Sequence, residues 1–126
     1  MTRAVLARLL EEAAHQAPDE ACGLLLGHGG IDEARLCANV HATPASHFAI
    51  DPQALIDAHR AARCGGLQVL GYYHSHPSGR AEPSATDKAM AAGDGRIWAI
   101  VAQGQVTFWR DGAQGFEALS YRLRDG

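Results

Sequence analysis

The chain has 126 residues, enough for one domain around one packed core and no more. Hydrophobic residues make up 47% of it, which excludes a disordered tail. A net charge of -3, with Lys and Arg scattered rather than clustered, excludes the basic footprint of a nucleic-acid binder.

In chain order, Thr2 can cap a first helix running to about Ala14, with Val5, Leu6, Leu9, Leu10 and Ala13 as its apolar stripe and Pro18 ending it. Its interspersed Arg3, Arg8, Glu11 and Glu12 do not make a signal peptide. Glu20 to Gly27 reads as a buried strand, Gly27 to Gly30 as a hairpin turn, and Glu33 to Val40 as the returning strand. His41 to Ser46 is loop-like, and His47 to Ile50 a short extended piece. Asp51 as N-cap and Pro52 at the first helical position open a second helix, which Gly65-Gly66 closes.

The apolar run Leu67 to Tyr73 suits another strand, and it leads into two histidines. Pro77 to Pro83 is then a loop, and Ser84 starts a short helix ending near Gly93-Asp-Gly95. Three strands follow, Arg96 to Ala102, Val106 to Arg110 and Phe116 to Arg122, antiparallel because the connections are short. Three helices and six or seven strands in this order imply an α/β domain spanning 1–126, a mixed sheet with helices on its faces. No apolar run approaches the roughly 18 residues of a transmembrane helix, so a cytoplasmic protein with no membrane partner is expected.

Chemistry concentrates between Gly71 and Asp87. His74 and His76 stand two apart at a strand end, so both point to one face, with Cα atoms roughly 6.6 Å apart at about 3.3 Å per residue. Two imidazoles so placed can converge on one ion, and a carboxylate from the following helix can complete three ligands. Three protein ligands on zinc leave a fourth position for water, the mark of a hydrolytic site. The plain alternative is a strand end with two solvated rings. Ser84 and Asp87 equally fit a helix start, Ser84 as N-cap and Asp87 three positions on. The two readings are compatible, since a helix start is a rigid way to aim Asp87.

Glu20 lies at the lip of the first strand, where most glutamates face solvent; beside a zinc-bound water it would be a general base with a pKa raised by burial. Cys22, two residues on, shares its side and reads as a small buried hydrophobe. The odd count of cysteines, Cys22, Cys37 and Cys64, with no Cys-x-x-Cys, argues against a disulfide framework or a cysteine-based zinc site. His15, His28, His41, His47 and His59 have no ligand spacing and read as surface or loop residues, with His41 and His47 open to lining a cleft. Arg80 and Glu82 put charges in the loop after the histidines.

Taken together, these residues resemble the JAMM metallopeptidases (MPN+ or JAB domain) of the small prokaryotic type. That signature is an upstream glutamate, then His-(Ser/Thr)-His, seven residues that begin with Pro, then Ser, two residues and Asp. Here it is Glu20, His74-Ser75-His76-Pro77, with Pro77 to Pro83 as the seven, Ser84 and Asp87. Glu20 to Gly27 and Phe48 to Pro52 resemble further family segments, and the likeness covers roughly residues 1–110.

The resemblance implies a curved mixed sheet flanked by helices, similar to the cytidine deaminase fold. It implies one Zn2+ per chain on His74, His76 and Asp87, with Glu20 as acid/base and Ser84 stabilising the oxyanion. The implied substrate is a ubiquitin-like sulfur-carrier protein ending in Gly-Gly, cleaved at the amide bond after the diglycine. The chain is too compact for the insertions with which eukaryotic members grip ubiquitin. A nucleoside deaminase would need Pro-Cys-x-x-Cys and a glutamate at position 76, and this chain has neither. A non-catalytic MPN-type module binding a ubiquitin-like partner remains the rival.

Overall fold

A computed structural model describes residues 1–125. The first helix, α1 (Arg3–Gln16), begins where the Thr2 hydroxyl accepts from the Val5 amide at 3.1 Å, satisfying one of the orphan N–H groups of a helix start. It runs two residues past Ala14. The remaining elements are β1 (Cys22–Gly27), β2 (Glu33–Cys37), α2 (Pro52–Arg63), β3 (Gln68–Ser75), α3 (Ala85–Met90), β4 (Ile97–Ala102), β5 (Gln105–Gly112) and β6 (Gly115–Leu119). Helix α2 starts on the Asp51 carboxylate, which accepts from the Gln53 amide. It ends in a Schellman motif: Gly65, at φ +89°, donates to Ala62, and Gly66 donates to Ala61.

Several boundaries move for local reasons. The returning strand stops at Cys37 rather than Val40, because Asn39 leaves the β1 ladder and forms an isolated bridge with Ile50. Strand β3 extends to Ser75, so His74 lies inside it and His76 just beyond its end. Helix α3 stops at Met90, and Asp111 takes over the next amides, accepting from Ala92 at 2.9 Å and Gly93 at 3.1 Å. The last strand ends at Leu119. The chain end returns to the first residues, with the Arg124 amide donating to the Met1 carbonyl.

The six strands form one sheet in the order β2-β1-β3-β4-β5-β6. Every neighbouring pair is antiparallel except β3 and β4. A parallel pair needs a long crossover, and here the crossover is the segment from Pro77 through α3. Strand β1 is buried throughout because its alternate residues face two layers. Leu25, with Tyr73, Ala99, Val101 and Phe108, packs under α1 through Val5 and Leu9. Leu24 and Leu26 pack on the other face against Ala58 of α2. Farther along that second face Cys22, Phe48 and Trp98 form a smaller aromatic cluster. All three cysteines are free, Cys22 and Cys37 buried and Cys64 exposed. No helix among the described residues is long and apolar enough to cross a membrane.

Candidate metal and catalytic site

The β1–β3 register sets Cys22 opposite His74. Two residues back along β1 and two forward along β3, the same alignment brings Glu20 beside His76, and period-two alternation turns all of these side chains to the α2 face. His74 is fully buried. One ring face stacks on Phe48 with centroids 4.3 Å apart, and Trp98 meets it edge-on at 5.6 Å. Its Nδ1 has no hydrogen-bond partner, and its Nε2 points into the site.

Three ligand residues converge there. His74 Nε2 lies 3.0 Å from His76 Nε2 and 3.0 Å from Asp87 Oδ1, and His76 Nε2 lies 3.1 Å from Asp87 Oδ2. Ligands at about 2.05 Å around a tetrahedral zinc stand about 3.3 Å from one another, so the cluster is close to the size the ion requires. His76 Nδ1 is 2.7 Å from the Arg80 carbonyl, which can only accept. That bond holds a proton on Nδ1 and turns Nε2 into the site, the outer-shell support typical of metal-bound histidine.

Charge acts differently on each of the three groups. Burial lowers the His74 pKa against the pull of Asp87, so its ring is neutral. For His76, burial acts downwards, but hydrogen bonds to Asp87 and the Arg80 carbonyl raise its pKa overall. Burial alone would raise the Asp87 carboxyl; hydrogen bonding to both histidines outweighs it and holds the group well below the usual carboxylate range. The cap reading of Ser84 and Asp87 holds, and it leaves the Asp87 carboxylate facing both rings. The Asp87 amide donates to Ser84 Oγ at 3.0 Å, and the Ser84 amide donates to Asp87 Oδ2 at 3.0 Å. The reciprocal box locks the carboxylate towards the two rings.

Glu20 does not face solvent as an ordinary strand-edge glutamate would. It is only 6% exposed, at the floor of a cleft of about 370 Å³ that His76 and Ser84 share and that Ser46, Arg80 and Pro83 border. Burial raises its pKa to about 7, partly opposed by His76 and assisted by Asp87. Cys22 is sealed behind His74, and burial pushes its thiol up to about 12, so it acts as a small hydrophobe. His41 and His47 stack on each other at 4.7 Å within their loop and do not line the cleft. The loop offers Ala45 and Ser46 instead. Arg80 and Glu82 lie on the rim, largely exposed and 3.8 Å apart. His15 and His28 are exposed and His59 half-buried, away from the cluster.

Three supporting residues escaped the sequence reading. Ser75 faces away from both histidines, and its buried hydroxyl accepts from the Ala21 amide at 2.7 Å, tying the start of β1 to the end of β3. Thr107 donates to the Ala81 carbonyl at 2.7 Å and accepts from Trp109 Nε1 at 2.9 Å, anchoring the loop after the histidines to β5. Asn39 spans the loop between β2 and α2. The available signal was general: a hydroxyl or amide in a buried strand or tight loop has to find a partner.

Comparison with known proteins agrees with this geometry. Residues 2–112 match the family model Prok-JAB, described as prokaryotic homologs of the JAB domain. A probable TtuB-protein conjugate cleaving protease of Thermus thermophilus is 38% identical over 112 residues, 86% of this chain and 70% of that protein. A desampylase of Haloferax volcanii is 33% identical over 99 residues, 76% of this chain and 71% of that protein. The solution structure of a Desulfitobacterium hafniense protein superposes with a TM-score of 0.87 at 27% identity, covering 99% of this chain and 92% of that one.

Proposed function

Because the chain belongs to the Prok-JAB family, the prokaryotic homologs of the JAB domain, we propose that it is a zinc-dependent peptidase or isopeptidase acting on a ubiquitin-like protein. The observation that carries the reading is the meeting of two kinds of group in one cleft: three convergent ligand atoms, and a buried carboxyl whose pKa lies near neutrality. His74, His76 and Asp87 would hold the ion, in a donor set of two imidazoles and a carboxylate that suits zinc. When bound, zinc supplies a Lewis acid that polarises the scissile carbonyl and makes water acidic enough to attack near neutral pH.

The protein's own groups carry the proton. Glu20, with a pKa of about 7, takes one from the attacking water as its oxygen bonds to the carbonyl carbon. It returns that proton to the amine nitrogen as the C–N bond breaks. Ser84 Oγ already accepts from the Asp87 amide, so its hydroxyl hydrogen is free to donate towards the oxyanion. His74 is kept neutral and oriented by Phe48 and Trp98.

For the substrate, one relative is named for cleaving TtuB-protein conjugates. The finer proposal is hydrolysis after the C-terminal Gly-Gly of a ubiquitin-like sulfur carrier. An extended diglycine has no side chains to clash with a cleft that Ser46 and Pro83 line. The test incubates zinc-loaded protein with a carrier extended beyond its Gly-Gly, with and without chelator, and follows intact mass. Chelator-sensitive release of the extension, leaving a free diglycine end, is expected, and Glu20→Gln should keep zinc but lose turnover. Binding without cleavage at full zinc occupancy would replace the peptidase with a binding module.

A further inference from the structure

Glu20 precedes the first residue of β1, so no strand ladder holds it. Its backbone is held by the 41–49 loop instead. The Glu20 amide donates to the Pro44 carbonyl at 2.8 Å, and the Glu20 carbonyl accepts from Asn39 Nδ2 at 3.1 Å. The same Asn39 nitrogen donates to the His47 carbonyl at 3.0 Å, with the Pro44 carbonyl at 3.5 Å. Asn39 Oδ1 accepts from the amides of His41 at 3.2 Å and Ala49 at 3.1 Å. A side-chain amide offers two donor hydrogens and two lone pairs, and both ends of this one are engaged.

We propose that Asn39 is a positioning residue for Glu20, fixing the height of its carboxylate in the cleft by gripping its carbonyl. The inference rests on the reading of Glu20 as acid/base. One side chain ties together the Glu20 backbone and the loop that supplies Ala45 and Ser46 to the rim and Phe48 to the face of His74. Asn39 touches neither the cleft nor the ligand atoms, so its effect passes through Glu20. Of the two anchors, the Pro44 carbonyl is main chain and survives any side-chain change; the grip on the Glu20 carbonyl is the one a substitution removes.

Asn39→Asp keeps the shape and both acceptor contacts but sets an acceptor against the carbonyls of Glu20 and His47. Displacing a catalytic group by about 1 Å can lower the rate about 100-fold. The expected result is a kcat lower by about 10- to 100-fold, with KM within about twofold and one zinc per chain retained. Asn39→Ser, which leaves room for a bridging water, should show the same split and covers the case in which the new carboxylate unfolds the loop. Thr43→Val removes a hydroxyl that bonds only the His41 and His47 rings, and should leave kcat unchanged. Wild-type kcat in both Asn39 variants, with Glu20→Gln inactive, overturns the inference alone. An equal kcat loss in Thr43→Val also overturns it, because general loop slackness would then explain the effect. An active Glu20→Gln removes the acid/base reading and the inference together.

Discussion

Glu20 carries a stability cost that appears only when it ionises. Its carboxyl is raised from 4.5 to about 7, chiefly by burial, so the folded state holds the proton more tightly than the unfolded chain does. The neutral carboxyl's contribution is fully present below pH 4.5 and is lost as pH rises through 7. At about 1.36 kcal/mol per pH unit between the two values, the complete loss is about 3 kcal/mol. Glu20→Gln has nearly the same shape and is neutral at every pH. In chelated, metal-free protein its stability advantage over wild type should therefore grow by about 2.5 kcal/mol between pH 5 and pH 8. For a domain of this size that is roughly 10 °C in Tm. Chelation matters because a divalent cation beside the carboxylate favours its charged form. The titration of His74 is common to both proteins and cancels, whereas the Glu20 carboxylate raises the His76 pKa in the wild type alone. Urea midpoints or thermal melts at the two pH values give the answer. A gap of the same size at pH 5 and pH 8 would refute the reasoning, since it would mean that the Glu20 carboxylate is hydrated in the folded state.

Three other substitutions probe separate parts of the structure. Asp87→Asn should lower bound zinc from one per chain to none by elemental analysis, and activity should fall with it. Thr107→Val removes the tether on the Ala81 carbonyl and the acceptor of Trp109 Nε1. It should cost about 1 kcal/mol in urea denaturation and raise KM several-fold with little change in kcat. Gly71→Ala would set a Cβ 1.8 Å from the Ile97 carbonyl oxygen, across the parallel β3–β4 pair. Backbone cannot give way as a flexible side chain does, so the variant should lose at least about 3 kcal/mol or fail to fold. A urea midpoint near wild type would show that the strands can part there at little cost.

What could be read from the sequence follows how local each cause is. The α2 start at Asp51-Pro52, its stop at Gly65-Gly66 and the Ser84–Asp87 box are settled within a few residues, and all three are present. The convergence of His74, His76 and Asp87 was equally legible, because the histidines are two apart at a strand end and Asp87 follows at a helix start. Glu20 was legible only through the family pattern. Its place beside the histidines depends on the pairing of β1 with β3, residues more than fifty positions away, and no local signal marks a buried glutamate. Asn39, Ser75 and Thr107 act through hydrogen bonds to distant carbonyls or amides, so their partners become visible only when the sheet is assembled. The end of β2 moved for the same reason: Asn39 leaves the ladder with β1, and its side chain bonds the loop instead.

The site's dependence on register also explains where the sheet tolerates irregularity. Side chains alternate with a period of two, so a one-residue slip of β1 against β3 would turn Glu20 and Cys22 to the α1 face and leave His74 and His76 without their carboxyl. At the catalytic end the alignment is pinned twice, by the Ala21 amide on Ser75 Oγ and by the Ser75 amide on the Ala21 carbonyl. The register shift between Leu25 and Leu26 falls at the opposite end of β1, beyond Gly71. Between these points Gly23 presses against the Tyr73 ring and the Arg35 carbonyl so closely that no side chain fits. Strand β1 can thus yield at its far end while the Glu20 end stays in step with the histidines, and the crossover that parallel β4 requires brings Asp87 back to complete the set.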